Sequence, residues 1–193
     1  AVLAAACGGA DYDADSVSPA LTAILAGNEG DAKWAAPLDS AYDGGCRCIF
    51  AEHTVELPED CVQIITDNTR HALAIASANF FGRPCEKLKV VGITGTKGKT
   101  TTAHIVKALI EASGEMCGII GTNGAAYGNA FEETKNTTPE SYELQRLFRK
   151  MVDAGCKYCV IEASSLGLKM HRTDGIPFEV GVFMNLAPDH IGT

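Results

Sequence analysis

The sequence is short of positive charge: 16 Lys and Arg stand against 24 Asp and Glu, a formal net charge of −8 over 193 residues. Nothing gathers those few cations into a stripe, so a polyanion such as nucleic acid is excluded as the main partner. A small phosphate ligand needs only a handful of local donors and stays open. No apolar run is long enough to span a bilayer, which argues against membrane insertion. The apolar start, Ala1 to Cys7, lacks a basic flank and runs at once into Gly8, Gly9 and Asp11, so it does not read as a secretory leader. An initiating Met is missing too, and the natural start is expected to lie upstream. Internal repeats and low-complexity tracts are absent. Apolar material is plentiful: 46% of residues are hydrophobic and only 21% charged, which fits a folded core and not a disordered chain.

Cysteine is also plentiful, with eight residues, and Cys156 and Cys159 have CxxC spacing while Cys46 and Cys48 form a second close pair. A zinc or redox reading would need two well-formed pairs in turns. Here Cys156-Lys157-Tyr158-Cys159-Val160-Ile161 and Cys46-Arg47-Cys48-Ile49-Phe50 both enter apolar strands, where Cys serves as a small hydrophobe. Reduced thiols in a cytoplasmic protein are expected.

The pattern along the chain changes near Leu88. Before it, Cys48 to Ala51 and Val62 to Ile65 read as short strands separated by a Leu57-Pro58-Glu59-Asp60 turn. An Ala-rich helix runs from His71 to Phe81 and stops at Gly82-Arg83-Pro84. After it, Leu88 to Thr94 is a β-branched run suited to a buried parallel strand. A helix from about Thr100 to Ser113, a strand from Cys117 to Ile120, an amphipathic helix from Ser141 to Ala154, and strands at Tyr158 to Glu162 and Phe178 to Asn185 follow. Alternating strands and helices predict an α/β fold, a parallel sheet with helices on both faces. The expected domains are 1–87 and 88–193.

The sharpest feature is Gly92-Ile93-Thr94-Gly95-Thr96-Lys97-Gly98-Lys99-Thr100-Thr101-Thr102, between a predicted strand and a predicted helix. Glycines allow backbone N–H groups to turn in around phosphate oxygens, and a helix N-terminus adds a favourable dipole. Lys99 can reach the β- and γ-phosphates, and the Thr100 hydroxyl can ligate Mg²⁺. Strict Walker A spacing would put Gly where Ile93 stands, but the Gly-Lys-Thr core and its setting remain. Gly95, Thr96, Lys97, Gly98, Lys99, Thr100 and Thr101 are therefore the candidate nucleoside-triphosphate loop. Val160-Ile161-Glu162 ends a strand in a carboxylate, at the edge of a parallel sheet where ligands bind. Glu162 is suited to hold Mg²⁺ beside Thr100.

Gly-Thr-x-Gly-Lys-Thr-Thr after a Val-rich strand is similar to the ATP loop of the Mur ligases and of folylpolyglutamate synthetases. Asn136-Thr137-Thr138-Pro139-Glu140 is by itself a polar loop leading into a helix, but it resembles the segment with which tripeptide-forming Mur ligases hold UDP-muramoyl-dipeptide. Ser164-Ser165 leading to His171-Arg172, and Asn185-Leu186-Ala187-Pro188-Asp189-His190, match further segments of that family. The resemblance is strong from Leu88 to Thr193, fair from Asp39 to Lys87 and weak earlier. Leu166 and Met170 stand where the family often has His and Gln. Ala14 and Asp15 stand where a Ser-Arg pair usually helps hold a uridine nucleotide.

The resemblance implies a small N-terminal α/β substrate domain followed by a parallel-sheet ATP-binding domain that is truncated here. It implies an ATP- and Mg²⁺-dependent ligase of the cytoplasm, monomeric at full length, that serves peptidoglycan precursor synthesis. Such an enzyme joins an amino acid, meso-diaminopimelate or lysine, to UDP-N-acetylmuramoyl-dipeptide through an acyl phosphate. By the same resemblance Lys99, Glu162 and His190 are catalytic, Thr100, Glu162 and His190 hold metal, and Asn136, Thr137, Thr138, Ser164 and Arg172 hold substrate. The family's central domain continues beyond Thr193 with a carbamylated lysine and is followed by a C-terminal domain. The expectation is that this chain alone is an incomplete fragment that does not complete the ligation. Two other readings stay open: a folylpolyglutamate-type ligase, and a non-catalytic nucleotide-binding remnant.

Overall fold

The computed structural model describes residues 47–187 apart from Val55. The chain divides into two compact units between Phe80 and Phe81. In the first, β1 (Cys48–Ala51) pairs in parallel with β2 (Val62–Ile65), with Cys48 opposite Val62. The turn between them closes with Cys61 N–H donating to the Pro58 carbonyl at 3.0 Å. Helix α1 (Thr69–Phe80) follows. Its start is capped by Asn68, whose Oδ1 accepts from the His71 N–H at 2.9 Å. Leu73, Ala74 and Ala78 form its buried stripe, at i, i+1 and i+5.

The second unit opens with a 3-10 turn (Pro84–Lys87) and holds a six-stranded sheet. Its elements are β3 (Lys89–Thr94), α2 (Lys99–Ala112), β4 (Cys117–Gly121), β5 (Gly124–Tyr127), β6 (Ala130–Glu132), α3 (Ser141–Asp153), β7 (Tyr158–Glu162), α4 (Ser165–Lys169) and β8 (Phe178–Phe183). The strand order is β6-β5-β4-β7-β3-β8. Strands β4, β7, β3 and β8 run parallel. The sheet is thus mostly parallel, as the sequence predicts, and it adds at one edge β5 and β6, which run antiparallel to their neighbours and were not expected. The cause is local. Thr122-Asn123 and Gly128-Asn129 each make a two-residue connection, which returns the chain beside the strand it left and cannot provide a parallel crossover.

The helices cover both faces of the sheet. One face buries Val90, Ile120, Cys159 and Ile161 under Leu144, Leu147, Phe148 and Met151 of α3. The other buries Ile93, Cys117, Ile119 and Val160 under Ala103 of α2, with Val106 and Ile110 alongside. Successive residues of β7 thus point to opposite helices, as the period of two requires. Cys159 and Cys156 sit in the first cluster as packing residues. Burial pushes both thiols up, away from the thiolate. Among the described residues no helix is long and apolar enough to cross a membrane.

This arrangement puts three chain segments at one end of the sheet. The carboxyl ends of β3, β7 and β4 lie side by side, with Ile93 opposite Glu162 and Ile120 opposite Ile161. Loops leaving those ends converge there, as at any open α/β sheet edge.

Candidate functional site

The loop after β3 turns at two glycines with positive φ, Gly95 at 139° and Gly98 at 86°. Those are conformations that side chains resist. Gly98 caps α2 without a side-chain bond, and the first turn of α2 carries no acidic residue. The helix therefore presents its first N–H groups and its positive dipole end uncompensated by side chains. Lys99 folds back over the loop, its Nζ donating to the Gly95 carbonyl at 2.7 Å and the Thr96 carbonyl at 3.4 Å. Thr100 is half-buried beside it, and Thr101 is exposed on the first turn.

The segment after β8 braces this loop. Thr96 N–H donates to the Asn185 carbonyl at 3.1 Å. Lys97 N–H donates to Asn185 Oδ1 at 3.0 Å, and Asn185 Nδ2 donates to the Lys97 carbonyl at 2.9 Å. The Thr96 hydroxyl accepts from Ala187 N–H at 2.9 Å. A side-chain amide that both gives and receives on one backbone residue fixes that residue's orientation, which sequence reading did not assign to Asn185.

Glu162 ends β7 only 1% exposed. Its Oε2 accepts from the Thr100 hydroxyl at 2.9 Å and the Thr122 hydroxyl at 3.2 Å, and its Oε1 accepts from the Thr122 N–H at 3.0 Å. A buried carboxylate survives only when paired or well hydrogen-bonded, and this one is satisfied by neutral donors. Thr100 Oγ1 and Glu162 Oε2 are hard oxygen ligands within reach of one small cation, so the donor set fits Mg²⁺. Thr122, in the β4–β5 turn, carried no recognised motif. Its Oγ1 lies 3.2 Å from Thr137 Oγ1, which joins the 134–140 loop to the same carboxylate.

The remaining candidates form a second group next to the first. Asn136 is exposed and Thr137 half-buried. Thr138 is fully buried, its hydroxyl donating to the Glu162 carbonyl at 2.8 Å and accepting from Ser164 N–H at 2.9 Å. Ser164 caps α4 by accepting from Gly167 N–H at 3.0 Å. Arg172 Nη1 donates to the Thr138 carbonyl at 3.0 Å, and its Nη2 pairs with Glu140 at 2.6 Å. His171, just before it, holds φ 56°. The structure thus gathers Lys99, Thr100, Glu162, Thr137, Thr138, Ser164 and Arg172 around one sheet end. Thr138 turns inward, its hydroxyl committed to Glu162 and Ser164. His190 and Asp189 lie outside the described residues, as do the segment from Tyr12 to Pro19 and the Ala41-Tyr42 pair.

Comparison with known proteins decides the lineage. Residues 93–193, just over half of the chain, match the model of the Mur ligase middle domain. The chain belongs to the Mur ligase family. A UDP-N-acetylmuramoyl-L-alanyl-D-glutamate–2,6-diaminopimelate ligase of Clostridium perfringens is 48% identical to this Mur ligase chain over 154 residues, 80% of the chain and 32% of that relative. A solved structure of a ligase with the same description is 25% identical with a TM-score of 0.72, covering 82% of this chain and 32% of that one. A folylpolyglutamate synthase of Mycobacterium tuberculosis, solved with ADP and AMPPCP, is 18% identical with a TM-score of 0.51 over 65% of this chain and 35% of that one, a likeness of fold alone. This Mur ligase chain spans about a third of the length of the curated relatives it matches.

Proposed function

We propose that this chain is the ATP-binding part, with a portion of the substrate domain, of a ligase that adds the third amino acid to UDP-N-acetylmuramoyl-dipeptide in the cytoplasm. The observation that carries the proposal is the bond between Thr100, at the start of the helix behind the Gly-Lys-Thr loop, and the buried Glu162. It sets a phosphate-binding loop and a carboxylate of one cation site side by side. The domains are read as 1–87 for substrate binding and 88–193 for ATP. Of the two amino acids that the resemblance allows, the relatives' names favour diaminopimelate over lysine.

A carboxylate does not accept an amine at a useful rate, so it must first be activated. The γ-phosphoryl group passes to the terminal carboxylate of the dipeptide: an O–P bond forms, the β–γ linkage breaks, and ADP leaves. The amino acid's amine then attacks the acyl carbon, the C–O bond breaks, and phosphate leaves with the amine's proton lost to solvent or a base. The chain's contribution is positioning and charge neutralisation. Lys99 would leave the loop carbonyls for phosphate oxygens, and the N–H groups of Gly98, Lys99 and Thr100 would line the triphosphate. Thr100 and Glu162 would hold one Mg²⁺ and His190, by resemblance, would help hold a second; metal bound at these residues would neutralise charge on the phosphates.

Thr137, Ser164 and Arg172 would face the dipeptide end, with Asn136 at the rim. Bonds to the Thr138 carbonyl and to Glu140 hold the Arg172 guanidinium beside the 134–140 loop. Thr138 would shape the loop from beneath and not touch substrate. The test uses the full-length protein containing this chain. Incubation with Mg-ATP, UDP-N-acetylmuramoyl-dipeptide and diaminopimelate should yield ADP and the tripeptide product by mass, with neither formed if the muramoyl-dipeptide is omitted. ADP release indifferent to that substrate would overturn the proposal.

A further inference from the structure

Counting protons around Glu162 gives Thr122 a part that no sequence motif suggests. Thr122 directs its hydroxyl proton to Glu162 Oε2 at 3.2 Å and its N–H to Oε1 at 3.0 Å, so it grips both carboxylate oxygens. With its one proton committed, the Thr122 oxygen can only accept in its 3.2 Å contact with Thr137. Thr137 is therefore the donor. A chain of hydrogen bonds runs Thr137 to Thr122 to Glu162, and the Thr100 hydroxyl donates to the same carboxylate oxygen at 2.9 Å.

Resting on the proposed ATP and Mg²⁺ reading of Glu162, we propose that Thr122 is a positioning residue that fixes the Glu162 carboxylate for the cation and couples it to the substrate loop through Thr137. Three structural facts support this. Gly121 precedes Thr122, and any side chain there would overlap the Glu162 carboxylate, so the backbone must come close for Thr122 N–H to reach it. Thr122 and Asn123 make the two-residue turn between β4 and β5, whose ladder pairs Gly121 with Gly124 and leaves the turn little freedom. Thr137 sits one residue before Thr138, which bonds to the Glu162 carbonyl, so the 134–140 loop touches the main chain of Glu162 directly and reaches its carboxylate through Thr122.

A further consequence concerns chemical specificity. Because Thr137 gives its proton to Thr122, the hydroxyl offers only lone pairs outward. It accepts from an amide N–H or a sugar hydroxyl of the substrate. A carboxylate or phosphate in that position would take the proton away from Thr122 and loosen the grip on Glu162. The cation site and the substrate loop are then linked, and by thermodynamic reciprocity each must alter the other's affinity by the same factor.

The experiment is a Mg²⁺ titration of nucleotide binding to the full-length protein containing this chain, using a fluorescent ATP analogue, with nucleotide binding in EDTA as a fold control. Thr122 is exposed, so Thr122→Val replaces a surface hydroxyl with a methyl of similar shape and keeps the N–H. It should raise the Mg²⁺ concentration for half-saturation about tenfold, the scale of a hydrogen bond to a charged acceptor, and leave binding in EDTA unchanged. Thr122→Ser should stay within about twofold of the parent. Thr137→Val should raise the Mg²⁺ requirement in the parent but not in the Thr122→Val background, a non-additivity that a merely structural role would not give. If Thr122→Val titrates like the parent, or if the two substitutions add, the relay is wrong while the nucleotide reading stands. If the parent itself shows no Mg²⁺-dependent binding, the reading beneath the relay falls and takes the relay with it.

Discussion

Gly121 offers a severe test of how tightly Glu162 is held. A methyl at Gly121 would overlap Glu162 Oε1 and lie 2.7 Å from Cδ and 2.9 Å from Cγ, closer than real Cβ contacts come. Glu162 is poorly placed to give way, being buried and bonded to both the hydroxyl and the N–H of Thr122 and to the hydroxyl of Thr100. Swinging it clear would sacrifice bonds worth about 1.5–3 kcal/mol each in the folded state. Overpacking without such movement costs about 1–3 kcal/mol. Two effects oppose the loss. Ala is better than Gly in a strand by about 0.5–1 kcal/mol, and Glu162 lines a cavity of about 150 Å³ beside His104 and Phe131, where water can replace a lost partner. The net expectation for Gly121→Ala is about 1–3 kcal/mol of lost stability and at least a tenfold weaker Mg²⁺ dependence of nucleotide binding. Urea unfolding followed by circular dichroism measures the first, with a midpoint shift on the order of 1 M, and the Mg²⁺ titration measures the second. Gly181→Ala is the control, since a methyl there meets nothing within 4 Å. If Gly121→Ala matches Gly181→Ala in both assays, the picture of an immobile Glu162 is refuted.

Two more expectations follow from named contacts. Burial works to raise the Glu132 carboxyl, but hydrogen bonds from Tyr127, Arg146 and Lys150 outweigh it and hold the group down at about 2. Its contribution to stability is therefore fully present above the unfolded value near 4.5 and drains away as the pH falls from there toward about 2. Thermal melts across that window should fall less steeply for Glu132→Gln than for the parent, and parallel profiles would contradict this. Asn185→Ala removes both side-chain bonds to Lys97 and should weaken nucleotide binding about tenfold. Asn185→Asp keeps the acceptor for Lys97 N–H and should recover part of that loss; equal affinity in Asn185→Ala and parent would show that the loop holds its shape unaided.

The parts of the fold legible in the sequence were those whose residues face a packed surface on both sides. β3 and β7 are runs of Val, Ile and Cys because α2 and α3 cover them from opposite faces, and α3 shows its period because one side buries Leu144, Leu147, Phe148 and Met151. β5 and β6 lacked that signal: Gly124-Ala-Ala-Tyr127 has no β-branched residue, and β6 is three residues long. The Asn123-Gly124 and Gly128-Asn129 pairs were the available clue, since such dipeptides mark tight hairpins. The loop after β3 was legible as a candidate phosphate site because glycine, lysine and a hydroxyl must follow one another closely in sequence to surround a phosphate. Thr122 and Asn185 were not, because each acts on a residue far away in sequence, Glu162 and Lys97 respectively, and only the strand order brings them together. Thr138 shows the converse: a motif position whose side chain the fold turns inward.

The most direct test of the nucleotide reading is calorimetric titration of the full-length protein containing this chain with ATP, with and without Mg²⁺, for the parent and for Lys99→Ala. A single Mg²⁺-dependent ATP site is expected in the parent, with at least a hundredfold loss of affinity in Lys99→Ala, since removing an ammonium partner of phosphate forfeits charge-assisted bonds worth about 3 kcal/mol or more together. Equal binding by the two proteins, or parent binding indifferent to Mg²⁺, would contradict it.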